Sequence, residues 1–266
     1  MEVTPVQLLR SRQRRSIPHD LPDAITRQRS SMEQPGPASA HPESRLPADS
    51  LVALVPLRSI GEGSKTRLRD SLSSADRAEL VTAMFADVIG ALECSGVPRI
   101  VVVAGHPSAS ELARSFDLEV SCDPPGSEGL NAAVAAATDR LPPHRDVLVV
   151  MPDLPMLTSR DIDALVSIPA AVVIAPTHDG GTGGLLRRSG SRSLTRFGRG
   201  SAGLHHREAL ASGAEAAWCR LPGFWHDIDR VADLATVAHD GLGTATAKVG
   251  ALFEPRRREE TLRAGS

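Results

Sequence analysis

Three aspartates occupy positions from which carboxylates could hold a metal ion. Asp153 lies in Pro152-Asp153-Leu154-Pro155, directly after an apolar run, and Asp227 and Asp229 flank Ile228 in an extended stretch. Alternate side chains of an extended chain point the same way, so Asp227 and Asp229 share one side. Mg²⁺ prefers hard oxygen ligands and few protein carboxylates, which makes these residues candidate ligands of an ion that bridges phosphate oxygens. The alternatives are that Asp153 organises a turn and that Asp229 caps a following helix.

Two glycine-rich segments contain hydroxyl groups that could bind an anion. The segment 178–184 places four glycines around Thr182, which favours a backbone nest for a phosphate or carboxylate over a plain hairpin turn. The segment 196–201, Arg-Phe-Gly-Arg-Gly-Ser, leads into a predicted helix, where Ser201 either caps the helix or faces an anion together with the N–H groups there. His205 and His206 on this helix are interpreted as solvated surface residues rather than catalytic groups.

A basic loop follows the first apolar run, at residues 56–68. It contains Arg58, Lys65 and Arg67, whose charges could neutralise phosphate groups, and two glycines. The glycine spacing fits neither a P-loop nor a dinucleotide-binding fingerprint, which counts against a P-loop kinase and a Rossmann dehydrogenase. A solvated basic loop is the alternative interpretation.

Short apolar runs predict the strands that must position these residues. The runs cover residues 51–55, 100–104, 147–151 and 171–175 and are typical of strands buried on both faces. Helices are predicted around residues 80–92, after Ser73 and Ser74, and at 132–137 and 162–166. This alternation predicts an α/β fold with a mainly parallel sheet, in which ligands bind at the carboxyl ends of the strands.

Composition divides the chain and excludes several classes of protein. Residues 1–49 are rich in Pro, Ser, Gln and Arg and predict a disordered N-terminal extension, followed by one domain at 50–250 and a charged tail at 251–266. A net charge of -2 does not favour nucleic acid or anionic lipid as a partner. No apolar run approaches the roughly 18 residues of a membrane helix. The three cysteines include no C-x-x-C pair, so a reducing cytoplasm fits.

The order of these motifs resembles that of a known enzyme family. From residue 51 to about 240, V-P-L-R, S-K-T-R-L, D-L-P, D-G-G-T, F-G-R-G-S and D-I-D resemble the motifs of the 2-phospho-L-lactate and phosphoenolpyruvate guanylyltransferases of coenzyme F420 biosynthesis. These enzymes are relatives of the molybdenum-cofactor nucleotidyltransferases. The resemblance implies a three-layer nucleotide-binding fold of the glycosyltransferase-A-like nucleotidyltransferase type.

The family also implies an activity, namely transfer of GMP from GTP to a three-carbon phosphorylated acid with release of pyrophosphate. The acid is 2-phospho-L-lactate, phosphoenolpyruvate or 3-phosphoglycerate, and the labile product is expected to be handed over to a partner transferase. The resemblance implies that Asp153, Asp227 and Asp229 bind Mg²⁺ and form the catalytic set with Lys65. It implies that the acid is bound by Thr182, Gly198 and Ser201, and the nucleotide by Arg58, Lys65 and Arg67. Asn131 ends a loop that opens a predicted helix and is a further candidate contact to the nucleotide base.

Three positions depart from the family pattern, and two other functions compete with the one it implies. Arg58 stands where the family commonly has Lys. Pro152 stands where the family often has Ala, and Gly183 stands where it often has Asn, so we expect the metal loop and the acid pocket to differ in shape. The competing functions are a nucleotidyltransferase for a sugar phosphate or molybdopterin, and a catalytically silent nucleotide-binding module. Three metal-directed carboxylates favour an enzyme over the silent module.

Overall fold

The computed structural model describes residues 50–60, 68, 71–122, 129–229, 233 and 241–250. Seven strands lie in these ranges: β1 (Leu51–Leu57), β2 (Arg99–Ala104), β3 (Glu119–Cys122), β4 (Asp146–Val150), β5 (Val172–Pro176), β6 (Thr182–Arg187) and β7 (Ala216–Trp218). They form one sheet in the order β3-β2-β1-β4-β6-β5-β7. Only β6, among these strands, runs antiparallel to its neighbours β4 and β5. The predicted α/β fold with a mainly parallel sheet is confirmed.

Helices cover both faces of this sheet. They are α1 (Ser74–Cys94), α2 (Pro107–Ser115), α3 (Leu130–Asp139), α4 (Ser159–Ser167), α5 (Ser201–Ala211), the single turn α6 (Pro222–Trp225) and α7 (residues 244–250). On one face, Val52 and Leu54 of β1 pack in a core with residues of α3 and α5. The alternating residues Ala53 and Val55 are also fully buried, because they point to the opposite face, where α1 and α4 contact each other. This is a three-layer arrangement.

Capping residues define where the helices of the second face begin. Ser73 accepts a hydrogen bond from the backbone N–H of Asp76, and the Asp76 side chain accepts one from the N–H of Ser73, which starts α1 as the serine pair predicted. Thr158 and Asp161 form the same reciprocal pair at α4. These boxes fix the N-terminal ends of the two helices, which contact each other.

The sequence predicted four strands and did not predict β3, β6 or β7. The strands β3 and β7 are short and partly exposed, so they lack a continuous apolar run. The strand β6 begins Thr-Gly-Gly, and glycines inside a strand look like a loop in the sequence.

Several predictions fall on residues that the structure does not describe. The predicted extension at 1–49 and the predicted tail at 251–266 lie outside the described ranges, so the proposed domain limits of 50 and 250 stay predictions. Among the described helices, none combines the length and apolar content that crossing a bilayer requires.

Candidate functional site

The candidate site lies at the carboxyl edge of the sheet. The strands β1, β4 and β5 run in the same direction, so Arg58, Asp153 and His178, which follow them, come to the same edge. Because β6 runs in the opposite direction, its first residue, Thr182, also lies there. The topology therefore gathers residues that the sequence separates by more than a hundred positions.

The segment 225–229 is tied to two of these strand ends. The N–H of Ile228 donates to the Asp153 carbonyl at 3.3 Å, and the N–H of His178 donates to the Trp225 carbonyl at 2.8 Å. Ile228 is fully buried, whereas Asp227 and Asp229 on either side of it are only partly buried. The buried Ile228 therefore turns both neighbouring carboxylates toward the edge of the sheet, as the alternation in the sequence predicted.

Asp153, Asp227 and Asp229 converge, and we call them the acidic cluster. One carboxylate oxygen of each lies within 4.8 Å of the others. The Nδ1 atom of His178 lies 3.3 Å from Oδ1 of Asp227, and the His178 ring stacks on that of His226 with the ring centres 5.8 Å apart. Two oxygens on opposite sides of one Mg²⁺ ion are about 4.2 Å apart, twice the usual ligand distance. The three carboxylates therefore fit one divalent cation after small side-chain adjustments.

The glycines of segment 178–184 do not form the single nest that the sequence suggested. Gly183 and Gly184 belong to β6, so this interpretation is wrong for them. A Cβ atom on Gly183 would lie 2.8 Å from the Phe224 carbonyl oxygen, and one on Gly184 would lie 2.7 Å from the Phe224 ring. These glycines are needed for close packing of β6 against α6, which immediately precedes the Asp227 segment.

Residues 177–181 form the hairpin turn between β5 and β6, organised by Asp179. Its Oδ1 accepts a hydrogen bond from the Thr177 hydroxyl at 2.6 Å and one from the Gly181 N–H at 2.8 Å. Burial alone would raise the pKa of Asp179, but these two bonds and the neighbouring His178 hold that pKa below its ordinary value. The ionised side chain of Asp179 is therefore held by hydrogen bonds within its own turn, and this turn fixes where β6 begins.

Thr182 joins Ser201 and His205 in what we call the hydroxyl network. Thr182 Oγ1 lies 2.9 Å from Ser201 Oγ and 3.0 Å from His205 Nδ1, and the N–H of Arg196 donates to His205 Nε2 at 2.8 Å. The prediction that His205 is a solvated surface residue is wrong, since only 1% of its surface is exposed. The four-residue spacing from Ser201 puts both side chains on one face of α5, which was the available signal.

The loop 196–201 connects the hydroxyl network to α3. The Asn131 side chain donates to the Phe197 carbonyl at 2.9 Å and accepts from the Phe197 N–H at 2.7 Å, so it holds this loop by both ends of its amide. Gly198 and Gly200 have φ values of 143° and 66°, which side-chain-bearing residues rarely adopt. The Asn131 amide therefore has partners inside the protein at both its oxygen and its nitrogen, and its predicted contact with the nucleotide stays a prediction.

The basic residues are only partly described. Arg58 is exposed in the loop after β1, where its guanidinium is accessible to a ligand at the carboxyl edge. Lys65 and Arg67 lie outside the described residues. The assignment of these three cations to a triphosphate stays a prediction.

Comparison with known sequences identifies relatives of similar closeness that act on different acids. The chain is 33% identical to the phosphoenolpyruvate guanylyltransferase of Roseiflexus castenholzii, with 78% of this chain and 97% of that protein covered. It is 36% identical to the 3-phospho-D-glycerate guanylyltransferase of Phenylobacterium zucineum, with 71% and 90% covered. It is 34% identical to the 2-phospho-L-lactate guanylyltransferase of Methanothrix thermoacetophila, with 69% and 81% covered.

A solved structure with a similar fold is found among known proteins. A putative nucleotide-diphospho-sugar transferase from Desulfovibrio desulfuricans superposes with a TM-score of 0.60 at 16% identity, covering 80% of this chain and 97% of the other. This likeness shows that the chain has the fold of a nucleotide-diphospho-sugar transferase, in agreement with the glycosyltransferase-A-like fold that the resemblance implied. The family model "Guanylyl transferase CofC like" matches residues 51–249. Through that match and its curated relatives, the chain belongs to the CofC-like guanylyltransferase family.

Proposed function

We propose that this protein transfers GMP from GTP to the phosphate of a three-carbon phosphorylated acid and releases pyrophosphate. The observation that supports this most strongly is the acidic cluster, whose three carboxylates converge at the carboxyl edge of the sheet. Membership of a guanylyltransferase family supports the choice of nucleotide and acceptor. The family that the sequence motifs resemble carries out this reaction in coenzyme F420 biosynthesis, and we propose the same role for this protein.

Asp153, Asp227 and Asp229 would hold a divalent cation, which we propose to be Mg²⁺. Carboxylate oxygens are hard ligands that suit this ion, and the bound ion would neutralise charge on the triphosphate and the transferred phosphoryl group. Three acidic residues brought together from two distant segments have little use in a module that only binds. The cluster therefore favours turnover over a silent nucleotide-binding role.

The chemistry requires no protein nucleophile. An oxygen of the acid's phosphate forms the bond to the α-phosphorus of GTP, the bond from that phosphorus to the bridging oxygen breaks, and pyrophosphate leaves with the electron pair. The protein then has to align the two phosphates and neutralise their charge, which are the main contributions in phosphoryl-group transfer. We propose that Arg58, Lys65 and Arg67 neutralise the triphosphate, and that Lys65 belongs to the catalytic set.

The acid would bind where β6 meets α5. Thr182, Gly198 and Ser201 surround the start of this helix, and the partial positive charge of a helix N-terminus favours an anion. Asn131 holds the loop that contains Gly198, so we propose that it shapes this pocket as well as lying near the nucleotide. The curated relatives, at 33%, 36% and 34% identity, are named for three different acids, so identity does not select one.

The proposal is tested by measuring pyrophosphate release. Purified protein is incubated with Mg²⁺, each nucleoside triphosphate in turn and each of the three acids, with glucose 1-phosphate as the competing acceptor. A partner transferase and a deazaflavin acceptor are added to consume a labile product. We expect release with GTP and one preferred acid. Release only with the sugar phosphate, or GTP binding with no release under any condition, would overturn the proposal.

A further inference from the structure

The buried imidazole of His205 is held in one protonation state. Its Nε2 atom accepts a hydrogen bond from the Arg196 N–H at 2.8 Å, and a backbone N–H can only donate. Burial lowers the pKa of His205 to about 4, with help from the cations Arg187 and Arg196 and against the opposing effect of Glu208. His205 is therefore neutral near pH 7 and carries its proton on Nδ1. That proton faces Thr182 Oγ1 at 3.0 Å.

A count of protons shows that the hydroxyl network has one donor to spare. His205 Nδ1–H, the Thr182 hydroxyl and the Ser201 hydroxyl supply three protons, whereas the network contains two contacts, His205 to Thr182 and Thr182 to Ser201. Each contact uses one proton. Within the described part of the chain, neither hydroxyl has another hydrogen-bond partner. One O–H proton therefore has no acceptor among the described residues, although Thr182 and Ser201 are only 5% and 2% exposed.

His205 fixes the direction of one contact in this network, and the direction of the other completes the proposal. Because His205 donates to Thr182, the Thr182 hydroxyl can donate onward to Ser201, and the Ser201 hydroxyl then keeps its proton for another acceptor. Ser201 is the first residue of α5, beside the positive-φ glycines Gly198 and Gly200. An acceptor at this helix start would be favoured if it were anionic, because a bond from a hydroxyl to a charged oxygen is stronger than one to a neutral oxygen.

We propose that His205 is a positioning residue: by donating to Thr182 it orients the hydroxyl pair so that the remaining proton is held for an anionic oxygen of the phosphorylated acid. This inference rests on the function proposed above, and it adds a residue that touches neither substrate nor cation. His205 thereby acts on affinity for the acid through Thr182 and Ser201. It leaves the acidic cluster and the nucleotide unaffected.

Two substitutions separate the two hydrogen bonds of His205. In His205→Asn, the amide nitrogen replaces Nδ1 and keeps a donor toward Thr182, while the acceptor for Arg196 is lost. In His205→Gln, the longer amide replaces Nε2 and keeps the acceptor for Arg196, while the donor toward Thr182 is lost. We expect the KM for the acid to rise about tenfold in His205→Gln, the effect of losing one charge-assisted bond. We expect it to stay within about threefold of the wild type in His205→Asn.

A purely structural role predicts a different pattern. Both variants would then lose stability and change the KM values for the acid and for GTP together, and that result would overturn the inference. An unchanged KM for the acid in His205→Gln would overturn it as well. In Thr182→Val, which interrupts the network, adding His205→Gln should raise the KM for the acid no further.

The tautomer is tested without any turnover, by ¹⁵N–¹H correlation spectroscopy of histidine-labelled protein, with His205→Gln as the assignment control. We expect a neutral ring with its proton on Nδ1 from about pH 5 to pH 8. A proton on Nε2, or a charged ring at pH 7, would overturn the inference even if the enzyme is active. A wild-type protein that has this tautomer but releases no pyrophosphate would overturn the proposed function instead.

Discussion

The acidic cluster and the hydroxyl network lie at the same edge of the sheet and are built on opposite principles. The acidic cluster brings three like charges together, and its side chains remain partly exposed. The hydroxyl network is neutral and almost fully buried, and it is held to the Arg196 backbone through His205. Gathering like charges raises the free energy of the folded state, whereas paired buried polar groups help to specify it. The difference supports the proposals that the acidic cluster serves a ligand and that the network serves both fold and ligand.

Asp227→Asn is the change that we expect to have the largest effect, because it removes one charge from the acidic cluster. Turnover should fall by a factor on the order of 10² to 10³, the usual cost of losing a group that stabilises the transition state. Without metal, the free energy of unfolding should change by less than about 1 kcal/mol, because losing the contact with His178 is opposed by weaker repulsion from Asp153 and Asp229. Steady-state kinetics and chemical denaturation measure the two effects.

The matched control is Asp163→Asn, which removes the same charge from an exposed position on α4. It should leave both turnover and stability unchanged. Saturating Mg²⁺ should raise the unfolding temperature of the wild type and of this control, but not that of Asp227→Asn. Near-normal turnover of Asp227→Asn at limiting Mg²⁺ would refute the proposed role of Asp227 in binding the ion.

Gly183→Ala should disturb both regions at once. Gly183 follows Thr182 of the hydroxyl network, and it lies close to Phe224, which precedes the segment that carries Asp227 and Asp229. The added Cβ would lie 2.8 Å from the Phe224 carbonyl oxygen, so the backbone must shift, at a cost of about 1 to 3 kcal/mol. Gly203→Ala is the control, because the nearest atom there is 3.5 Å away in Arg207. It should stabilise α5 by about 0.5 to 1 kcal/mol. Equal stability of the two variants would show that β6 and α6 are not tightly packed.

The pH dependence of stability should reveal the contribution of the buried histidine of the hydroxyl network. The pKa of His205 is about 4 in the folded protein and 6.5 ordinarily, so the unfolded state binds more protons between these values. The contribution of His205 to stability is therefore complete above pH 6.5 and is lost as the pH falls toward 4, by at most about 1.4 kcal/mol per unit. The unfolding free energy of His205→Gln should lack this component. Parallel pH curves for the two proteins would contradict the assignment.

The sequence predicted the parts of the molecule that depend on local pattern. Continuous apolar runs identified β1, β2, β4 and β5, and Asp153 and the Asp227 pair were recognised because they follow or flank buried segments. The strand β6 was missed because its glycines, Gly183 and Gly184, look like a loop in the sequence. They are required there by the close approach of Phe224, a contact that is distant in sequence. His205 was missed for the same reason. Its burial depends on Thr182 and Arg196, which only the folded chain brings to it.

We propose above that the acidic cluster binds one divalent cation next to the reacting phosphates. The most direct test is a crystal grown with GTP and Mn²⁺ in place of Mg²⁺, in which the ion is located by its anomalous scattering. We expect one peak about 2.2 Å from an oxygen of each of Asp153, Asp227 and Asp229 and from triphosphate oxygens. A peak bound to the triphosphate but distant from Asp227 and Asp229 would contradict it.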